Sequence, residues 1–246
     1  MALTSPQCDA PPRLQMTEAR TPAAIAAALA LRGRVFRAGG CDRDRFDPLC
    51  RHLVLRDHAR GGAAVATARA LVHADGAAVQ RGYAAQSYDL SRLRALPHPV
   101  VELGRICVAP EHRAQPDIPR LLLGAITALV EDAGARLLIG CSSFPGADPA
   151  RHAQALAWLA QRTPAPAALA PRVRARETCA LPRFAPDPAR ALPGLPPLLR
   201  SYVALGGWVS DHAVIDRDLD TVHVFTAVDV AAIPAARRAR LRALAA

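Results

Sequence analysis

Val100 to Val108 is an apolar run of strand length that carries one acid, Glu102, and one base, Arg105, and is stopped by Ala109-Pro110. A basic, Pro-containing loop follows, and then the most continuous helix-like run in the chain, Ile118 to Val130. Gly134 breaks that run before a second strand-like segment, Arg136 to Cys141. A strand, a helix and a strand in this order predict a parallel pair joined by a right-handed crossover. The helix start then brings free backbone N–H groups to the end of the charged strand.

The neighbouring segments extend this unit. Thr21-Pro22 opens a helix, because Thr caps and Pro suits the first helical position. Ile25, Leu29 and Phe36 keep helical spacing to about Arg37, and Gly39-Gly40 stops it. Leu53 to Asp57 and Ala63 to Leu71 read as a hairpin around Gly61-Gly62, with Arg69 near its far end. A short helix is expected near Asp89, another from Asp148-Pro149, and a third from Pro196-Pro197 to Ala204. Val209 to Ile215 and Val222 to Val228 are late strands, and Pro234 to Ala246 is an Arg-rich tail helix. The expected fold is α/β (α+β), a mixed sheet with helices on both faces. Residues 1–20 read as a loose tail and 21–246 as one domain, with a Pro/Ala/Arg-rich excursion at 163–197 and one strand near Thr178 to Leu181.

The 246 residues suffice for a large core, and the formal charge of +10 suits an acidic protein or an anionic lipid surface. No nucleic-acid-binding signature accompanies that charge. The six cysteines form no Cys-x-x-Cys pair, which fits a reducing compartment. No apolar run reaches spanning length and no signal-peptide order appears, so a cytoplasmic protein is expected.

Glu102 and Arg105 are three apart, and strand periodicity sends them to opposite faces unless a bulge, placed at Leu103-Gly104, intervenes. They read either as charges covering the sheet ends or as a site in which Glu102 is a general base for an amine. Asp42, Asp44 and Asp47 read as a solvated loop or as a clamp for a cationic amine. Their spacing lacks the Gly and terminal Glu of a calcium loop, and no His-Glu-x-x-His occurs, so no metal is expected. The loop carrying Arg113 precedes a helix start and suits an anion such as a phosphopantetheine arm, but it is not a nucleotide-binding P-loop. Cys107 and Cys141 read as small hydrophobes, and Ser142-Ser143 as substrate contacts outside any Gly-x-Ser-x-Gly elbow.

In order and spacing, Arg34-Val35-Phe36, Asp44-Arg45-Phe46-Asp47, Cys50-Arg51-His52-Leu53-Val54, Ser87-Tyr88-Asp89-Leu90, Glu102-Leu103-Gly104-Arg105, Gly140-Cys141-Ser142-Ser143-Phe144-Pro145-Gly146 and Leu205-Gly206-Gly207-Trp208-Val209 resemble the ornithine-lipid-forming N-acyltransferases. That branch of the GNAT superfamily is related to acyl-homoserine-lactone synthases. The resemblance covers roughly Thr21 to Val230. It implies a GNAT-like fold, a central mixed twisted sheet flanked by helices. It also implies transfer of a 3-hydroxyacyl chain from acyl carrier protein to the α-amine of ornithine, with no tightly bound cofactor. Arg34, Phe36, Asp44, Asp47, Arg69, Glu102 and Arg105 would line the reaction centre, some of them within a buried ionic cluster. Direct amine attack would be aided by Glu102, with the N–H groups near Ile106, Cys107 and Val108 stabilising the oxyanion.

Two departures accompany the resemblance. Arg37-Ala38-Gly39-Gly40 stands where relatives carry an acid after the Phe, and the usual GNAT phosphate loop is missing after Arg113. The degenerate loop favours a carrier-protein donor over a coenzyme A thioester. Acyl-coenzyme A, a different amino acid, or a non-catalytic basic module at an anionic membrane remain the alternatives.

Overall fold

The computed structural model describes residues 12–245. Its first half holds β1 (Leu14–Glu18), α1 (Pro22–Phe36), β2 (Arg51–Asp57), β3 (Ala63–His73), the short β4 (Tyr88–Asp89) and β5 (Val100–Val108). Then follow α2 (Asp117–Asp132), β6 (Leu137–Pro145), α3 (Ala153–Arg162), β7 (Arg172–Val173), β8 (Thr178–Ala180), α4 (Pro188–Gly194), α5 (Pro197–Ala204), β9 (Trp208–Asp216), β10 (Thr221–Asp229) and α6 (Ala235–Arg242). Eight strands form one mixed sheet in the order β1-β2-β3-β5-β6-β10-β9-β8. β5 and β6 are its parallel pair, as the strand-helix-strand pattern predicts.

Alternation along the strands sorts the core onto two faces. Ile118, Leu122, Ile126 and Leu129 form a stripe on α2 that packs on Leu53, Leu55, Ala66, Ala68, Val101 and Leu103. Each fully buried side chain of this kind contributes about 1.5–3 kcal/mol. The opposite face takes α1, with Ala28 against Val54 and Leu31 against Cys107. Thr21 caps α1, its Oγ accepting from the Ala24 N–H at 3.2 Å. The helix ends as Ala38 (φ 48°) and Gly39 (φ 94°) turn left-handed and the Gly39 N–H bonds to the Gly33 carbonyl at 2.9 Å.

Several expectations change. Residues 1–11 lie outside the described residues, but Leu14–Glu18 is an edge strand on β2, where the sequence reads as loose tail to residue 20. The expected helix near Asp89 is one 3-10 turn, Ser91–Leu93, beside β4. The excursion is more ordered than its composition suggests: β8 pairs with β9, β7 pairs with β4, and α4 forms despite Pro193. The tail helix stops at Arg242, with a 3-10 turn after it, and Ala246 lies outside the described residues. Among the described residues no helix is long and apolar enough to cross a membrane.

Candidate active site

Two irregularities in β5 create the site. The first is a bulge: Arg69 of β3 faces Gly104, Thr67 faces Cys107, and Ala68 is left opposite both Arg105 and Ile106. Arg105 takes φ 50°, a left-handed value rare for a residue with a side chain. The extra residue cancels the strand alternation between Glu102 and Arg105. Arg105 therefore reaches Asp42 on the α1 face, while Ile106 packs into the α2 core. The bulge lies one step beyond the expected Leu103-Gly104, and Arg105 carries the unusual dihedral instead of Gly104.

The second irregularity is a parting of strands. β5 and β6 pair from Val100/Leu137 to Leu103/Gly140 and no further. At this vertex a Cβ on Gly140 would lie 2.7 Å from the Leu103 carbonyl oxygen. Past it, β5 has no β6 partner, and the strands enclose a cleft of about 460 Å³. Phe36, Tyr83, Arg105, Ile106 and Arg113 line one side, and Cys141, Ser142, Ser143 and His223 the other. Leu138, Tyr202 and Val228 make an apolar end, while Asp216 and Asp220 stand at the β9–β10 hairpin.

Beside the cleft lies a buried ionic network. Arg32, 1% exposed, donates from Nε to Asp42 at 2.8 Å and from Nη1 to Asp47 at 2.5 Å. Arg69 grips both oxygens of Asp44 at 2.7 Å and also reaches Asp47 at 2.7 Å. Arg105 Nε donates to Asp42 at 3.0 Å and its Nη1 to the Tyr83 hydroxyl at 3.0 Å. The Tyr83 ring lies 5.4 Å from the Arg69 guanidinium and 5.1 Å from that of Arg105. Burial would raise the Asp47 carboxyl, but hydrogen bonds from Arg32, the Asp44 N–H and Arg69 hold it down at about 2. Asp44 is likewise lowered, Arg69 outweighing burial.

Glu102, 4% exposed, accepts from the Ala84 N–H at 2.5 Å, the Tyr83 N–H at 3.1 Å and lies 2.9 Å from His73 Nε2. It does not line the cleft. It fastens the turn that presents Tyr83. Gly82 fits here because a Cβ would strike the Glu102 Oε2 and come within 3.0 Å of the His73 ring.

The sequence-derived residues separate into groups. Phe36, Arg105, Ile106, Arg113, Ser142 and Ser143 meet at the cleft. Ser142 Oγ accepts from Thr226 at 2.9 Å. Asp44, Asp47 and Arg69 sit in the network, where the cations the acids hold are the chain's own arginines in place of a substrate amine. Cys107 is buried under α1, its thiol pushed up to about 12 by burial, and Val108 points to the other face. Arg34 does not join the network: it is exposed on α1 and lies 3.6 Å from Glu111 in the loop after β5. Arg32 holds the buried place. Its signal was the apolar stripe itself, since Ile25, Leu29 and Phe36 leave one turn unfilled and residue 32 falls there.

Asp42, read with Asp44 and Asp47 as a solvated loop or a cation clamp, sits in the network with them, while Tyr83 and His223 carry no sequence signal for the site. The Tyr88 hydroxyl donates to the His223 carbonyl at 2.9 Å and lies 3.1 Å from Nδ1. Burial pushes the His223 imidazole down to about 4, so it is neutral near pH 7. The Arg37 departure has a structural partner, since its guanidinium clasps Asp218 on the β9–β10 hairpin at 2.6 Å. Among the described residues no cluster of His, Cys, Asp or Glu is arranged to hold a metal ion.

Residues 28–123 match the acetyltransferase (GNAT) domain family. The chain is 37% identical over 197 residues to the L-ornithine N(alpha)-acyltransferase of Rhodobacter capsulatus, covering 78% of this chain and 76% of the relative. It is 34% identical over 236 residues to the protein of that name in Brucella abortus, covering 86% and 83%. In fold it resembles FeeM, an N-acyl amino acid synthase from uncultured soil microbes, with a TM-score of 0.52 at 12% identity over 89% of this chain and 93% of that one.

Proposed function

Since the chain belongs to the L-ornithine N(alpha)-acyltransferase family and carries a GNAT domain, we propose that it transfers a 3-hydroxyacyl chain from acyl carrier protein to the α-amine of L-ornithine, giving a lyso-ornithine lipid. The observation that carries this reading is the parting of β5 from β6 beside the bulge at Arg105. An extended thioester arm can lie along the unpaired backbone of β5, which supplies N–H groups near Ile106 to a developing oxyanion. The amine nitrogen attacks the thioester carbonyl, the C–N bond forms, the C–S bond breaks, and the proton the amine loses ends on the departing phosphopantetheine thiolate, which leaves as the thiol. The Tyr83 oxygen accepts from Arg105, so its own proton is free to donate to the developing charge. Burial raises the Tyr83 phenol despite that arginine and keeps it protonated. Glu102 acts by positioning Tyr83. Asp216 and Asp220 suit an acceptor that bears a second ammonium group.

The exposed arginines Arg237, Arg240 and Arg242 of α6 favour a station at an anionic membrane on the cytoplasmic side, close to where the product is used. An acidic carrier protein complements the same net charge.

Thiol release with acyl carrier protein and pooled amino acids, followed by product mass, tests the whole reading. N-acyl-ornithine from the carrier-bound donor is the expected result. Equal use of acyl-coenzyme A would remove the carrier as the dedicated donor. Vesicle binding without thiol release would replace the enzyme with a membrane-surface module.

A further inference from the structure

Leu138 of β6, Val228 of β10 and Tyr202 of α5 line the apolar end of the cleft, and the same three line a second cavity of about 30 Å³. Leu138 and Val228 are register partners on adjacent strands, and with Tyr202 they belong to the linings of both spaces. The second cavity lies between α2, α5 and α6 and is walled chiefly by apolar groups, including Ile126, Val130 and Ile233. Tyr202 is 7% exposed, and its hydroxyl is buried without a hydrogen-bond partner. A hydroxyl in that condition costs stability, and no contact within the protein offsets it. The ring, and not that hydroxyl, stands between the two cavities.

We propose that Tyr202 is the end wall of the acyl channel and sets the chain length the enzyme accepts. The inference rests on the acyl-transfer reading above. A chain that starts at a thioester beside Ile106 runs between the parted strands and stops against the Tyr202 ring. A shorter side chain at this position joins the two cavities and admits a longer chain.

Tyr202→Leu is compared with the wild type on a graded series of even-numbered acyl carrier proteins with ornithine. The preferred chain should lengthen by at least one two-carbon step, with a gain on the order of tenfold in relative kcat/KM for the longer donor, since each added methylene buried is worth roughly fourfold. Tyr202→Phe should keep the wild-type length preference. Should Tyr202→Leu not fold, Leu138→Ala opens the same partition from another element and should shift the profile the same way. Filling the second cavity with Val130→Phe in the Tyr202→Leu background should reverse the gain. Affinity for free fatty acids of graded length gives the same readout without turnover, and therefore separates this inference from the identity of the acceptor. Folded Tyr202→Leu and Leu138→Ala proteins with unchanged length profiles in both assays overturn the proposal. A lengthened fatty-acid profile without acyl transfer to ornithine would instead overturn the acceptor assignment and leave the wall in place.

Discussion

The two sides of the candidate site solve opposite problems. In the network under α1, the carboxylates of Asp42, Asp44 and Asp47 are each met by a guanidinium within hydrogen-bond reach. In the cleft a few ångströms away, Tyr83 keeps a free proton, Tyr202 has no partner and β5 runs without β6. The first arrangement is closed and can only hold shape. The second is open and can take a substrate. The bulge at Arg105 joins them, since its guanidinium belongs to the network and also lines the cleft.

The sharpest way to break the comparison is to unpair the closed side. Arg32→Met should cost about 3–5 kcal/mol, because Asp42 and Asp47 would each lose a buried partner. Arg34→Ala, two residues away and exposed, should fall within about 0.5 kcal/mol of wild type. Urea denaturation of both variants checks the contrast. Equal effects would mean that the network adds little to stability.

Acid should separate the sides next. The His223 imidazole titrates near 4 when folded and near 6.5 when free, so between those values the unfolded chain binds more protons. Stability therefore falls as pH drops from 6.5 to 4, by on the order of 3 kcal/mol. The folded Asp47 carboxyl sits at about 2, below its ordinary value, so its contribution is complete above the carboxylate range and is lost only as pH falls toward 2. Thermal melts at intervals of pH should show the cleft-side loss first, and His223→Phe should flatten it. A melt that holds level from pH 6.5 to 4 in the wild type would refute the His223 assignment.

Glu102→Gln sets a donor against backbone N–H groups that now meet an acceptor, and should move Tyr83. Turnover should drop by about a hundredfold, the scale of a misplaced group, while the acidic limb of the kcat/KM profile stays where it was. Disappearance of that limb would make Glu102 the base after all. The smallest effect is expected from Asp216→Asn, which should raise the KM for ornithine by about fivefold, the scale of one partly exposed ion pair, and leave kcat alone. An unchanged KM would take Asp216 out of acceptor binding.

These regions were unequally legible in the sequence. β5, α2 and β6 stood out because periodicity and Pro/Gly breaks are local. The edge strand at Leu14–Glu18 did not, since four half-buried residues and the exposed Thr17 on one partner strand give little pattern. Arg105 could be named as a site residue but not placed, because its left-handed dihedral follows from pairing with β3, forty residues upstream in part and invisible to alternation. The acids of the loop were visible as a cluster; that arginines of α1, β3 and β5 would meet them depends on the folded sheet. Tyr83 had no signal at all, since it lies between two 3-10 turns and owes its position to Glu102.

Gly140 shows how little matter controls this geometry. The two arms of the V come this close at their pivot because position 140 carries no side chain. Like the pin of a pair of compasses, that missing carbon governs how wide the arms open farther out. Gly140→Ala would leave each group named in the chemistry in place along its own strand, yet it would change the span between them. The width of the cleft is thus written at a lining residue that has no side chain to offer it.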